Sequence, residues 1–337
     1  MNRKIMKAAK YKKPYFIKLE EVPIPIVKED DILIEVYESG ICGGDLHRFK
    51  GIYKIPKYTD GHEFSGIVKD IGTDVKGIEV GEKVTVEAFN YCGQCSYCRQ
   101  GLNHLCPEWT FLSEVGPGGY GEYALVKAKS IFKLPANMSF EKGALIEPLA
   151  VAVHSVRKTS ISYPQEVLII GGGTIGLCGI LASKAFGVTP SILIKYIQQE
   201  RIAKNFGAKN IFVVNKDEIP KDYFSAVIDT TASEQALKLA FIAIKKGGTI
   251  CLLGSYTDSV NVEAGQIIDK EIKILGSLCY NHKGLFSDYE ISAKLINESE
   301  EILQIITHKF QLKDINKAFK TAIDKSTGAI KVHLVIK

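Results

Sequence analysis

No run of the 337 residues is apolar for long enough to cross a bilayer, which takes about 20 consecutive residues. The basic start MNRKIMKAAKYKK is not followed by an apolar segment, so it does not read as a secretory signal, and a cytoplasmic location is expected. An excess of one charge is also missing: 43 Lys and Arg against 38 Asp and Glu leave +5. The lysines are scattered and not laced with aromatics, so neither nucleic acid nor a membrane is an expected partner. There is no internal repeat and no low-complexity linker. What the chain does have is length for two domains and a sizeable core. Four of its eight cysteines crowd into the segment from Cys92 to Cys106. Without an export signal, that crowding points to metal and not to disulfides.

The chain is organised around EVLIIGGGTIGLCGILASKAFGVTPSILIKY, residues 166–196. Glu166–Ile170 reads as a buried parallel strand. It runs into Gly171-Gly172-Gly173-Thr174-Ile175-Gly176, a G-x-G-x-x-G, then a helix up to Gly187 and a second strand at Ile192–Ile194. In such a unit Gly171 permits the tight turn, Gly173 lets the backbone approach a pyrophosphate, and Gly176 lets helix and strand pack closely. The first helical turn, at Thr174 and Ile175, then faces the phosphate charge. A glycine turn alone is weak support; the strand, helix and strand around it raise it to a dinucleotide site.

The first third of the chain reads differently. Short β-like runs (Lys18–Val22, Ile32–Tyr37) alternate with Pro23, Pro25 and acidic turns, as in an antiparallel β domain. Ile32–Tyr37 leads to Ser39-Gly40-Ile41-Cys42-Gly43-Gly44-Asp45-Leu46-His47. Alone, Cys42 would read as an inert buried thiol. Twenty residues on, Gly61-His62-Glu63 adds an imidazole and a carboxylate. Thiolate, imidazole and carboxylate suit Zn²⁺, and three protein ligands leave a fourth position for water or substrate. Cys92, Cys95, Cys98 and Cys106 form C-x₂-C-x₂-C-x₇-C, a closed tetrahedral set that would hold a second zinc structurally. Its last spacing matches neither ferredoxin pattern.

Gly40-Ile41-Cys42-Gly43, then Gly61-His62-Glu63, the four-cysteine lobe, and Gly171–Gly176 occur in an order that resembles the zinc-dependent medium-chain alcohol dehydrogenases. The likeness runs over essentially the whole chain. It implies an α/β protein with a GroES-like β-rich catalytic domain and a doubly wound Rossmann nucleotide-binding domain, assembled as a homodimer or homotetramer. Glu147-Pro148-Leu149-Ala150 resembles the segment in which polyol, glucose and threonine dehydrogenases supply a glutamate as a further zinc ligand. The other reading of Glu147 is a buried, paired carboxylate at a helix start. His47 matches the family's distant proton-relay histidine, or is a loop histidine. Two positions depart from the family. Gly44 stands where a Ser or Thr usually starts the relay, so protons would need a water, the nicotinamide ribose or Glu63. Cys279 stands where sorbitol dehydrogenases carry an arginine, which weakens sorbitol-like recognition.

In the nucleotide domain an acidic residue at the end of the second strand would bind the ribose of NAD. The chain has Ile194-Lys195-Tyr196 instead. Lys195, with Arg201 as a second cation, would neutralise a 2′-phosphate, which favours NADP over NAD; otherwise Lys195 is a surface lysine beside a loosely discriminating site. Further strands are predicted at Ile211–Val214, Ala226–Asp229, Thr249–Leu253 and Ile272–Leu275, and a helix at Glu234–Lys245 ending at Gly247-Gly248. Phe140–Val156 reads as a helix pair, and Gly328–Ile336 as a final strand. Cys178 and Cys251 read as core, and Trp109 and Phe111 as bordering the substrate pocket or packing at a loop base.

The expected domains are 1–155 (catalytic, with the zinc lobe), 156–285 (nucleotide-binding) and 286–337 (a return to the catalytic domain). The expected function is hydride transfer between a secondary alcohol and a nicotinamide cofactor, in a cleft between the domains. Cys42, His62 and a carboxylate (Glu63, Glu147 or both in turn) would hold a Lewis-acidic zinc that lowers the alcohol's pKa. The substrate would be a polyol, sugar, sugar phosphate or vicinal diol. L-threonine 3-dehydrogenase, aldose 1-dehydrogenase, and an inactive nucleotide-binding relative are the other readings.

Overall fold

The computed structural model describes residues 4–337, which divide into two compact units. The first holds the residues up to Glu147, then His282–Gly284 and Ile306–Lys337; the second holds Pro148–Asn281 and Leu285–Ile305. The units therefore part near Glu147 and Ile305, and not at 155 and 286. Two structural facts account for this. A single helix, Phe140–Thr159, replaces the expected pair and runs on through Pro148. Proline costs a helix about 3 kcal/mol, but Leu145, Ile146, Leu149, Ala150, Ala152 and Val153 are all fully buried and keep the helix whole. The helix Asp288–Glu298 then stays with the second unit. Its buried Tyr289 packs on Tyr280 with ring centroids 5.2 Å apart, and Asp288 accepts a hydrogen bond from the Asn281 N–H at 2.8 Å.

The second unit is built on a six-stranded parallel sheet. In spatial order its strands are Ile211–Val213, Ser191–Ile194, Val167–Ile170, Phe224–Asp229, Ile244–Leu252 and Lys273–Gly276. The chain thus winds outwards to one edge from Val167–Ile170, returns beside it, and winds to the other. That reversal is the switch point at which doubly wound sheets bind ligands. All four side chains of Val167–Ile170 are at most 2% exposed, each contributing roughly 1.5–3 kcal/mol of burial. Cys178 and Cys251 are core, as expected. The helix predicted to reach Lys245 stops at Ala243. Ile244, wholly buried, turns extended and begins the strand that carries Gly247 and Gly248 within it.

The first unit carries a mainly antiparallel seven-stranded sheet. Its centre is Asp31–Gly40, which pairs with Glu63–Ile71, Lys331–Val335 and Tyr123–Lys127. Ile32, Ile34, Val36, Phe64, Val68, Val84 and Val86 pack beneath it, almost without exposure. One edge is parallel: Ile306–Gln311 runs alongside Lys331–Val335. The last strand is shorter than the predicted Gly328–Ile336, because a 3₁₀ turn at Lys325–Thr327 and a left-handed Gly328 precede it. Among the described residues no helix is long and apolar enough to cross a membrane.

Candidate active site

The strand Asp31–Gly40 delivers Cys42 to the N-cap of a short helix, Gly43–Phe49. Gly40 lies directly opposite Glu63 in the sheet register. That single pairing brings the loop of Cys42 against His62 and Glu63, two sequence-distant segments joined by strand geometry. One ligand atom from each of Cys42, His62 and Glu63 falls within 4.8 Å of the others. His62 and Glu63 are buried, as is Glu147 from the long helix.

Electrostatics in this cluster follow from burial and crowding. Burial, ahead of the neighbouring carboxylates, raises the Cys42 thiol above its ordinary pKa, while His62 pulls it back. Burial opposes charge on His62, yet Asp45, Cys42 and Glu147 together hold its pKa well above the usual value. Glu147 is pushed up to about 7, chiefly by burial and then by Glu63, against the pull of His62 and Lys331. No hydrogen bond or ion pair holds the Glu147 carboxylate among the described residues. The Nδ1 of His62 is likewise buried without a hydrogen-bond partner. A thiol, an imidazole and carboxylates crowded together in a buried site are what a divalent cation satisfies, so this donor set fits zinc.

Around the cluster stand residues the sequence did not single out. Asp45, wholly buried, accepts from the Cys42 N–H at 2.9 Å and the Tyr120 hydroxyl at 2.5 Å. Arg48 Nη1 bridges Asp45 (3.3 Å) and Asp60 (2.9 Å). Asp60 is pushed up to about 6 by burial and by Asp45. Lys331 Nζ, from the last strand, binds a carboxylate oxygen of Glu63. Asp45 sits three residues after Cys42, and that spacing is the one signal that could have found it. Lys331, nearly the whole chain away, carried none. Phe111 lies against the His62 ring at 5.8 Å and under Arg48 at 5.4 Å, with Trp109 edge-on to it at 5.2 Å. The structure therefore places Phe111 at the cluster and Trp109 behind it.

His47 lies on the helix after Cys42, its ring tilted against that of Tyr53 with centroids 5.0 Å apart. Its Nδ1 is buried without a partner, and burial followed by Lys50 lowers its pKa. A Cβ built at Gly44 would meet only Cys42 Sγ, at 3.9 Å. Nothing in the packing therefore demands a glycine there.

The sulfurs of Cys92, Cys95, Cys98 and Cys106 all lie within 4.8 Å of one another and none is in a disulfide. A zinc–sulfur tetrahedron has edges of about 3.8 Å, and Cys92 Sγ stands 4.0 Å from Cys98 Sγ. Backbone N–H groups of Cys95 and Cys98 point at sulfur, at 3.3 and 3.5 Å. The amides of Gln94 and Cys95 lower Cys92 to about 7, whereas burial and the Cys95 thiol raise Cys98 to about 12. The lobe is braced by His282, whose N–H donates to Gly101 O at 2.8 Å and whose Nε2 meets Glu87 Oε1 at 2.6 Å.

In the second unit Gly171 takes φ +111°, and a Cβ at Gly176 would stand 1.8 Å from Gly171 O. Both glycines are thus required, one by conformation and one by close packing. Nothing lies within 4 Å of a Cβ at Gly173, the N-cap of the helix Thr174–Ala185, so the turn is open to an anion there. Lys195 follows the strand Ser191–Ile194, exposed and 5.7 Å over the Tyr196 ring. Arg201 is exposed on the next helix. Neither pairs with a carboxylate among the described residues. Gln199, which sequence reading missed, is buried against Gly172 and accepts from the Tyr196 N–H at 3.2 Å.

Residues 28–136 match the family model for the alcohol dehydrogenase GroES-like domain, and residues 174–298 that for zinc-binding dehydrogenase. The chain is 32% identical to L-idonate 5-dehydrogenase of Vitis vinifera, across 94% of this chain and 91% of that one. It is 31% identical to D-arabitol-phosphate dehydrogenase of Enterococcus avium, across 90% of each. Among solved structures it resembles a zinc-binding dehydrogenase of Sinorhizobium meliloti 1021 bound to NADP, with TM-score 0.88, 28% identity, and 99% and 100% of the two chains covered. A thiolate–imidazole–carboxylate cluster, a four-cysteine lobe and a switch-point glycine turn, all in one chain that matches these proteins end to end, make this protein a member of the zinc-dependent medium-chain alcohol and polyol dehydrogenases, an oxidoreductase that uses zinc and a nicotinamide cofactor.

Proposed function

We propose that this protein oxidises a secondary hydroxyl of a polyol, sugar, sugar phosphate or vicinal diol, passing hydride to NADP in preference to NAD. The observation that carries the reading is the meeting of half-buried Cys42 with buried His62 and Glu63, with the buried carboxylate of Glu147 near enough to act on His62. These residues would hold a zinc, which supplies Lewis acidity that lowers the pKa of an alcohol. Glu63 and Glu147 would serve as alternative carboxylate ligands. Cys92, Cys95, Cys98 and Cys106 would hold a second, structural zinc with no open position.

The protein's own groups do the remaining work. Asp45 fixes the Cys42 loop through its N–H and faces His62. Phe111 walls the cluster and helps exclude water. Gly171, Gly173, Thr174, Ile175 and Gly176 cradle the pyrophosphate on the helix N-terminus. Lys195, with Arg201, meets the 2′-phosphate. His47, its Nδ1 without a protein partner, takes the proton towards solvent. The polyol reading is supported by relatives that bear the names of an idonate and an arabitol-phosphate dehydrogenase. The NADP reading is supported by the neighbour solved with NADP. The protein is proposed to work in the cytoplasm as a homodimer or homotetramer.

The test is nicotinamide absorbance with the zinc-replete protein. Polyols, aldoses, sugar phosphates, vicinal diols, threonine and simple alcohols are each offered with NAD and with NADP, alongside zinc analysis. Two zincs per chain with turnover on a polyol-type substrate and NADP is the expected result. Turnover confined to threonine or to simple alcohols would overturn the substrate class, and a preference for NAD would overturn the role of Lys195.

A further inference from the structure

Three neighbouring strands bring Glu63, Gly40 and His333 directly opposite one another, since Gly40 pairs with Glu63 on one side and His333 on the other. Residues paired across strands share a face, and so does Lys331, two residues before His333. The middle position of this row has no side chain. A Cβ at Gly40 would lie 2.5 Å from Glu63 Oε2, 2.8 Å from Lys331 Cε and 3.3 Å from His333 Nε2. Gly40 therefore clears a slot through which Lys331 reaches Glu63.

Lys331 and Glu63 are each 2% exposed. Lys331 Nζ binds Glu63 Oε2 and, at 3.1 Å, the carbonyl of Ile41, the residue before Cys42. One ammonium is thus tied to both ligand-bearing loops. A buried ion pair is a poor way to gain stability, because apolar residues of the same volume usually do as well. Its position in the ligand cluster calls for another explanation.

We propose that Lys331 is a positioning residue of the metal centre, engaging one oxygen of Glu63 so that this carboxylate offers only its other oxygen to the ion. Resting on the zinc reading above, this deepens it in two ways. Lys331 keeps Glu63 from closing on the ion with both oxygens, which leaves room for Glu147 or substrate. It also supplies the positive charge that lets Cys42, Glu63 and Glu147 stand as three anions around one divalent cation with no net charge left over.

The experiment places cobalt(II) at this centre, with zinc kept in the four-cysteine lobe, and compares wild type, Lys331→Met, Glu63→Gln and the double variant. Circular dichroism and melting curves establish that each is folded. In Lys331→Met the visible cobalt bands are expected to shift and weaken at least two-fold, as a second carboxylate oxygen enters. Loss of zinc to a coloured chelator should become at least about two-fold slower, because a second carboxylate oxygen then holds the ion and no ammonium opposes its charge. In the Glu63→Gln background, removing Lys331 should leave the cobalt bands where Glu63→Gln alone puts them, because the lysine sets the coordination through that carboxylate. If Lys331→Met does not fold, Lys331→Leu carries the same test, since it too removes the donor to Glu63; a cobalt spectrum altered in the same sense is expected. Wild-type spectra and chelation rates in a folded Lys331 variant, or additive spectral effects in the double variant, would overturn the proposal. A wild-type protein that takes up no metal at Cys42 and His62 would instead overturn the zinc reading itself.

Discussion

The Nδ1 of His62 stands 3.8 Å from a carboxylate oxygen of Asp45, and no hydrogen bond reaches that nitrogen. The carboxylate is wholly buried and is held in place by Tyr120 and Arg48. A ligating histidine is normally oriented by such a partner on its second nitrogen, and a small rotation of the ring would close the gap. Asp45→Asn keeps the shape but removes the charge. Metal affinity at this centre should fall roughly 10–100-fold, measured by chelator competition, while the four-cysteine lobe keeps its zinc. Undiminished affinity would mean that Asp45 only caps the Cys42 loop.

Gly44 tests whether the missing hydroxyl matters. Its Cβ position is open except for Cys42 Sγ at 3.9 Å, and its φ is not in the left-handed region. Gly44→Ser should therefore fold with a stability change of no more than about 0.5 kcal/mol. If the added hydroxyl hands protons on towards His47, kcat on a simple secondary alcohol should rise, by up to about 100-fold where proton transfer limits it. Comparison of kcat across pH for the two proteins decides the matter, and matching profiles would show that protons leave by another route.

The proposed preference for NADP turns on Lys195, an exposed lysine that pairs with no carboxylate among the described residues. A charge-assisted contact to a phosphate is worth roughly 1.5–3 kcal/mol, so Lys195→Asp should raise the KM for NADP roughly 10- to 100-fold. The KM for NAD should fall, because the new carboxylate can accept from the ribose hydroxyls. Equal effects on both coenzymes would remove Lys195 from the discrimination.

His333 gives a pH dependence with a definite sign. It is completely buried and its Nδ1 meets Glu38 at 2.9 Å. Burial outweighs that carboxylate and lowers its pKa below the ordinary 6.5. As the pH falls through 6.5 the unfolded chain takes up the proton first, so the folded state loses stability and goes on losing it down to the lowered folded value. Melting curves of the metal-loaded protein from pH 8 to pH 5 should show the decline. His333→Gln, which cannot titrate, should flatten part of it. An unchanged slope in that variant would assign the decline to other groups.

Much of the candidate site is legible in the sequence, and for a definite reason. Cys42, His62-Glu63, the four cysteines and the glycine turn each lie in a short segment. Ligand chemistry and turn geometry constrain which residue types can stand there, and that constraint is written in adjacent positions. The doubly wound sheet was legible in the same way, because strand, glycine turn and helix follow one another locally. Even the helix ending at Ala243 failed by only two residues, at a point where core burial of Ile244 outweighed helical preference.

What no local pattern could show is which distant side chains meet. Lys331 reaches Glu63 only because three strands align Glu63, Gly40 and His333 in register. Asp60 and Asp45 come within 4.8 Å of each other and of His62, bridged by Arg48, and Phe140–Thr159 stays one helix across Pro148 because its apolar residues are buried. Residue types and their spacing along the chain determined the chemistry available to this protein, since donor identity is a local property. Tertiary structure decided which charges share a low-dielectric interior, because strand register and burial depend on contacts between residues far apart in sequence.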